Sequence, residues 1–476
     1  MINLLRISIF SLVLKLAFIV IAIIYIAVPE ILGWSSESRE ASVLTTLSLL
    51  WFAGIFAGGI ISEKFYWALA PPIILFTPNA INDFFYSHAM GEASRTEHFS
   101  YLTHIDIYLI VGIILYSRLN LSISKTNLVL LSVTVLAFLI SMIFSYCNDR
   151  LEIFWFGNFQ LRYFLLLLFI FCFANPHKYE KYFSISLMAS SIMIFGEAIL
   201  YSFINDYQRL TSGNYGVNTL GHLLAAMTVF AMFSKPPFNN TVAKYSLIAL
   251  FFLGCLLTGT RFSIMALIGG ASIVFFIRNK KVAYFFIAAF ACLLVLLGYL
   301  TLIPSGISLR EGFIVSWDSF QAGQQIPITP DTSSIATRIK LWGATLNMLG
   351  DYPWLGVSPG GWAFSKNEYA INYLYVLDPH NELLNIAVSY GMIIGLFLFY
   401  YIYIFPCVKS FYLSPKSNVW PWLSIVVVLL VAGVSNAVTW KHQVAFLVLY
   451  SSLLVVTSER NFFRNECKQK YIHNGN

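Results

Sequence analysis

Apolar residues run almost without interruption along this chain. Short polar segments break the runs instead of alternating with them, a pattern that predicts helices buried on all sides. About 20 apolar residues cross a bilayer as a helix. Fourteen segments approach that length, at 8–28, 42–61, 65–81, 101–117, 127–146, 159–174, 182–204, 217–234, 245–260, 262–277, 282–303, 383–405, 420–438 and 442–457. The stretch from 304 to 381 departs from this rhythm. It clusters Gly, Pro, Ser and Thr in "QAGQQIPITPDTSS" and then turns helical in "SSIATRIKLWGATLNML", where Ile339, Trp342, Thr345, Leu346 and Leu349 follow helical spacing. A long loop with structure of its own is more often functional than filler.

Composition agrees with the pattern. Hydrophobic residues make up 58% of the 476 and charged residues 11%, against about 25% charged in a soluble domain. The chain is expected to be an integral membrane protein of all-α class, a polytopic bundle of about 12–14 helices. The net charge of +7 is no nucleic-acid signal, because Lys and Arg in such a protein mark the cytoplasmic side. With the N-terminus inside, seventeen of the 29 Lys and Arg residues fall in inside segments and seven in the short outside ones. Both termini are then cytoplasmic and the 304–381 loop lies outside. The segment "AVPEILGW" after the first apolar run lacks a small-x-small cleavage site, so that run reads as a membrane helix. The expected organisation is a transmembrane bundle over 1–303, the outer loop over 304–381, further spans over 382–457 and a basic cytoplasmic tail over 458–476.

Candidate chemistry gathers on the outer face. Arg209 lies in "NDYQRLTSGNYGVNTLGH", Arg261 in the tight turn "LLTGTRFSIMA", Arg338 on the loop helix and His380 in "DPHNE" at the mouth of the twelfth span. Each has a plain structural reading. Arg261 could snorkel to headgroups, Arg338 could be a solvated charge on an amphipathic helix, and His380 could be an interfacial structural residue. Each also has a chemical reading. The guanidinium fork matches phosphate oxygens, and Thr258 and Thr260 add hydroxyl donors beside Arg261. Pro379 fixes the backbone before His380, and Asp378 or Glu382 could orient its ring. A neutral imidazole can take a proton from a hydroxyl. The histidines show no metal-ligand spacing. The six cysteines form no C-x-x-C pair, and no D-x-D, Walker or G-x-S-x-G pattern is present. No metal and no cofactor are expected.

The series "TGTRFSIMALIGG", "TRIKLWGATLNMLGDYPWLGVSPGGW" and "DPHNELLNIAVSYGMIIGL" resembles the O-antigen ligase and polymerase superfamily over about 258–395, with support from 205–225 and from "VSNAVTWKHQ". The family's G-x-x-G after the histidine is replaced here by Gly391 and Gly395, one residue further apart. The resemblance implies a metal-independent glycosyltransferase of the bacterial inner membrane with its active site facing the periplasm. Its donor would be an undecaprenyl-pyrophosphate-linked glycan and its acceptor a lipid A-core hydroxyl, as in lipopolysaccharide biosynthesis. A polymerase would use a second lipid-linked glycan as acceptor. A protein O-oligosaccharyltransferase and a lipid-linked glycan flippase are further readings. The resemblance gives Arg261 and Arg338 to the donor pyrophosphate and His380 to acceptor activation, with Arg209, Thr260, Trp342 and Asn381 as substrate-binding candidates. Membrane lipids are the only other partner expected, and nucleic acid is not.

The orientation has a direct test. In a background without reactive cysteines, Ser319→Cys should be labelled by an impermeant thiol reagent in cells with a permeable outer membrane, and Lys280→Cys should not. Equal or reversed labelling would contradict the orientation.

Overall fold

The computed structural model describes residues 61–75, 104–116, 125–148, 158–174, 176–204, 207, 209–212, 215–235, 240–279, 334–369, 378–415 and 417–458. The expected spans at 8–28 and 282–303, all but the last residue of 42–61, and the tail from 459 lie outside these residues. Among the described residues every regular element is a helix. In chain order the α-helices are α1 Glu63–Leu75, α2 His104–Tyr116, α3 Lys125–Cys147, α4 Phe159–Phe173, α5 Glu180–Ile204, α6 Val217–Phe233 and α7 Thr241–Leu257. They continue with α8 Arg261–Arg278, α9 Ser334–Asp351, α10 Gly361–Ser365, α11 Glu382–Phe399, α12 Phe405–Ser410, α13 Trp420–Ala432 and α14 His442–Thr457.

Four helical stretches are long and apolar enough to cross a membrane by themselves: Asn127–Cys147, Pro176–Phe203, Arg261–Arg278 and Glu382–Ser410. Shorter apolar helices, α4, α6, α7, α13 and α14, fill out the bundle. Only 28% of the Asn127–Cys147 window is buried inside the protein. Its exposed apolar side chains, such as Leu136 and Ile143, suit contact with lipid, where helices keep all their backbone hydrogen bonds internal.

The chain divides into two compact units. The first comprises Met1–Leu128, Leu166–Tyr201 and Ser212–Asn214. In it α1, which carries Pro71 and Pro72, packs on α2 through stacked Tyr66 and Tyr108 rings 4.3 Å apart. Each tyrosine hydroxyl donates to the other's backbone carbonyl.

The second unit comprises Val129–Leu165, Ser202–Thr211 and Tyr215–Asn476. Its centre is α6 and α13. The sequence of α13, WPWLSIVVVLLVA, is apolar all round, and nearly every residue is buried, as expected of a helix with protein on every side. α6 packs on α7, α8 and α13, and α13 also packs on α8 and α14. Gly270 of α8 lets the two backbones approach: a Cβ there would lie 2.9 Å from the Cα of Val428 on α13.

α9 packs on α11 through a core of Leu341, Ala344, Met348, Val357, Trp362 and Val388. The helix is amphipathic, as its spacing predicts, but its inward stripe runs through Ile339, Leu341, Ala344, Thr345 and Met348, and Leu346 is 54% exposed. The stripe i, i+4, i+7 from Leu341 is the one that faces α11, so Leu346, five residues on, turns away.

α11 is broken. Gly391 has φ 75° and ψ 175° in the middle of the helix. The backbone groups freed by the break bond to the segment after α9: Val357 N–H donates to the Val388 carbonyl (2.8 Å) and Met392 N–H to the Pro353 carbonyl (2.8 Å). The two chains meet at glycines. A Cβ on Gly391 would sit 2.1 Å from the Trp354 carbonyl oxygen, and one on Gly356 would sit 2.2 Å from that of Val388. The nine residues between the start of α11 and the break correspond to about 13 Å of helix. The "PWLGV" segment therefore reaches well past the helix mouth, where irregular backbone needs protein partners. Further along, the π turn Tyr400–Ile404 precedes Pro406, whose missing N–H interrupts the helical ladder.

Gly391→Ala and Gly356→Ala should each collapse the yield of folded, detergent-extractable protein. Gly350→Ala, where a Cβ meets nothing within 4 Å, should leave yield and melting temperature unchanged or slightly higher. Normal yield for both of the first two variants would contradict the interlocked glycines.

Candidate active site

Arg209 reaches the turn between α7 and α8. Its Nε donates to the Thr258 carbonyl (2.8 Å) and one terminal nitrogen to Thr260 Oγ1 (3.2 Å). The turn passes under the guanidinium at Gly259, whose φ of 61° is a left-handed conformation that glycine adopts freely. Thr260 is the N-cap residue of α8, and its hydroxyl also bonds to the Val217 carbonyl (3.4 Å). Arg261 opens α8 with an exposed side chain that has no hydrogen-bond or ion-pair partner among the described residues. Its neighbour Phe262 carries the guanidinium of Arg338, with the central carbon 5.0 Å from the ring centroid.

Arg338 is half-buried. Its Nε donates to the Ser435 carbonyl (3.0 Å), just past the C-terminus of α13. The two preceding carbonyls are also taken. Val434 accepts from the Asn381 side chain (3.1 Å), and Gly433 accepts from the Glu382 N–H (2.7 Å). Three consecutive carbonyls at one helix end thus receive donors from Arg338 and from the two residues that follow His380.

His380 has φ 52°, uncommon for a residue with a side chain. The conformation is held by Asp378, whose Oδ1 accepts from the His380 N–H (2.7 Å) and lies 3.0 Å from His380 Nδ1. In the neutral imidazole with Asp378 as acceptor, Nδ1 carries the hydrogen and Nε2 presents the lone pair. The His380 side chain is 33% exposed and that of Asp378 11%. The ring is therefore oriented from the protein side and open on the other. Of the two acids flanking His380, Asp378 is the one that orients it.

Glu382 turns inward. It is buried, and its carboxylate accepts from Thr439 N–H (3.1 Å), from the Thr439 hydroxyl and from Tyr403 OH (3.2 Å). Gln160 Nε2 donates to the same Thr439 hydroxyl oxygen (2.7 Å). This chain of bonds fixes the segment Gly433–Lys441, between α13 and α14, against the start of α11.

Of the four residues singled out in the sequence, Arg209 and Arg338 lie along one set of contacts, which Arg261 and His380 adjoin through their chain neighbours. It runs from Arg209 through Thr260 to the start of α8, across Phe262 to Arg338, and over Ser435 and Val434 to Asn381 and His380. Asn381 also caps α11, accepting from Leu384 N–H (3.0 Å). Its amide is thereby engaged at both ends. Trp342 packs against the core between α9 and α11, with its indole nitrogen buried and unbonded. No group of three or more His, Cys, Asp or Glu residues suited to a metal ion occurs among the described residues.

Burial lowers the pKa of Arg338, and the negative charge of Asp378 acts in the opposite sense. The same two influences act on Lys441, at the N-terminus of α14. Lys441 ends the segment whose first carbonyls hold Arg338 and Asn381. In the sequence it reads only as one more outward-facing cation, and the available signal was its place in "VSNAVTWKHQ", between a tryptophan and a span.

Residues 246–400 match the family model described as O-antigen ligase. The match supports the O-antigen ligase and polymerase superfamily. It spans about a third of the chain and contains Arg261, Arg338, Asp378 and His380. Arg209 precedes it, and the Gly433–Lys441 segment follows it. No curated protein matches the chain.

Proposed function

We propose that this protein is an O-antigen ligase of the bacterial inner membrane. It transfers a glycan from undecaprenyl pyrophosphate to a hydroxyl of lipid A-core on the periplasmic side. The observation that carries this reading is that the oriented imidazole of His380 and the guanidinium of Arg338 are both tied to the carbonyls of Val434 and Ser435, directly or through Asn381. A histidine with a free Nε2 suits an alcohol acceptor, and a desolvated arginine suits a phosphate.

In this mechanism Asp378 keeps the hydrogen on Nδ1. Nε2 takes the proton of the acceptor hydroxyl as its oxygen attacks the anomeric carbon. The bond from that carbon to the phosphate oxygen breaks as the new glycosidic bond forms, inverting the centre. Undecaprenyl pyrophosphate leaves with the bonding pair, and its developing charge is met by Arg338 and by the exposed Arg261, which has no partner among the described residues. Arg209, already bonded to the Thr258 carbonyl, braces the turn that presents Arg261.

The cellular test is gene deletion with gel display of lipopolysaccharide. Loss of all O-antigen bands with accumulation of the lipid-linked polymer is expected. Core carrying a single repeat would instead show a polymerase. With purified protein, His380→Gln should slow transfer about 100- to 10,000-fold. Arg338→Ala should lower it by about 100-fold or more, and Arg338→Lys should restore only part, because an ammonium lacks the fork. Near-normal turnover of His380→Gln would remove it as the base.

A further inference from the structure

We infer that Lys441 is a third cationic contact for the donor's phosphates, completing a site that the matched residues 246–400 contain only in part. The inference rests on the pyrophosphate reading above. It is carried by how the segment between α13 and α14 is held. The start of that segment gives its carbonyls to Arg338, Asn381 and the Glu382 N–H. Near its end, Thr439 is clamped by Glu382 and Gln160. Lys441 follows two residues later, its own carbonyl accepting from Ala445 N–H (2.9 Å) in the first turn of α14. One short segment thus anchors the catalytic arginine and the histidine turn and also fixes the position of Lys441.

The lysine is placed where an anion would be welcome. Its side chain is half-buried and makes no hydrogen bond or ion pair among the described residues. A lysine placed only to snorkel would carry its ammonium into water. Here burial disfavours the charged form and Asp378 only partly offsets it. Asp378 acts in the same way on Arg338, and its carboxylate is already engaged by His380. The non-bridging oxygens of a diphosphate carry more lone pairs than the two guanidinium forks of Arg261 and Arg338 can take up. An ammonium is a compact point charge that accepts phosphate oxygens from several directions. The chemistry recognised is a phosphate group, available from the lipid-linked donor or from a phospholipid headgroup. The ties of its segment to Arg338 and to the histidine turn favour the donor.

The test uses the purified full-length chain in phosphatidylethanolamine nanodiscs, titrated with undecaprenyl pyrophosphate. Lys441→Met should weaken binding about 10- to 100-fold, the range of one charged hydrogen bond, and Lys441→Arg should recover most of it. Lys441→Gln serves as the neutral variant if the methionine lowers the melting temperature. If wild type binds, Arg338→Ala binds poorly and both neutral variants bind like wild type, Lys441 is no donor contact and the pyrophosphate reading stands. If Arg338→Ala binds like wild type, the pyrophosphate reading itself falls and takes the Lys441 contact with it. A parallel titration with soluble phosphatidylglycerol separates the two sources. If Lys441→Met weakens phosphatidylglycerol as much as the donor, Lys441 is a headgroup contact and the inference is overturned.

Discussion

A helix that ends inside a membrane protein leaves its last carbonyls without intrahelical partners. In a low-dielectric setting that debt must be met by other donors. At α13 the following turn meets carbonyls of the last helical turn, with Gly433, Val434 and Ser435 N–H donating to Leu429, Val431 and Ala432, and the next three carbonyls, of Gly433, Val434 and Ser435, are met by the Glu382 N–H, the Asn381 amide and the Arg338 guanidinium. The negative end of the α13 dipole also favours a cation at this place. A requirement of backbone chemistry thereby becomes a device that joins two segments more than forty residues apart in sequence. The cation at this helix end is a guanidinium, a fork of five N–H donors whose planar shape matches phosphate oxygens.

The broken α11 supplies the second half of the support. His380 precedes a helix whose first turn is fixed by Asn381 and Glu382 and whose middle is pinned by the "PWLGV" segment through Val357 and Met392. α9, which carries Arg338, packs on the same helix. The arginine and the histidine are therefore tied twice, by the carbonyls after α13 and by the core around Leu341 and Val388. Such double support is what holds a residue like His380 at φ 52°. Site groups in catalysis need placement to a fraction of an ångström, and side chains on packed helices supply it better than a free loop would.

Much of this was legible in the sequence. The helical class and most spans follow from hydropathy, because lipid leaves the backbone few alternatives. Arg209, Arg261, Arg338 and His380 could be grouped because one Lys/Arg count set them on one side. Other features were not legible. The inward turn of Glu382 depends on Thr439, Tyr403 and Gln160, partners far apart in the chain. The break at Gly391 depends on a second glycine at 356, and hydropathy sees neither. Asp378 and Glu382 looked equivalent as neighbours of His380. Only the fold shows that one orients the ring and the other anchors the segment leading to Lys441. The face of α9 was displaced by about one residue, since its partner is α11 and not solvent or lipid alone.

The proposed seat for donor phosphates at Arg338 makes a direct demand on geometry. Undecaprenyl pyrophosphate bound to the purified chain should show its phosphate density by electron cryomicroscopy within hydrogen-bond reach of the Arg338 guanidinium, with the open face of His380 turned toward the same space. Phosphate density at a site that Arg338 does not contact, with the Arg338–Ser435 and Asn381–Val434 bonds intact, would contradict the assignment of this cluster as the catalytic centre.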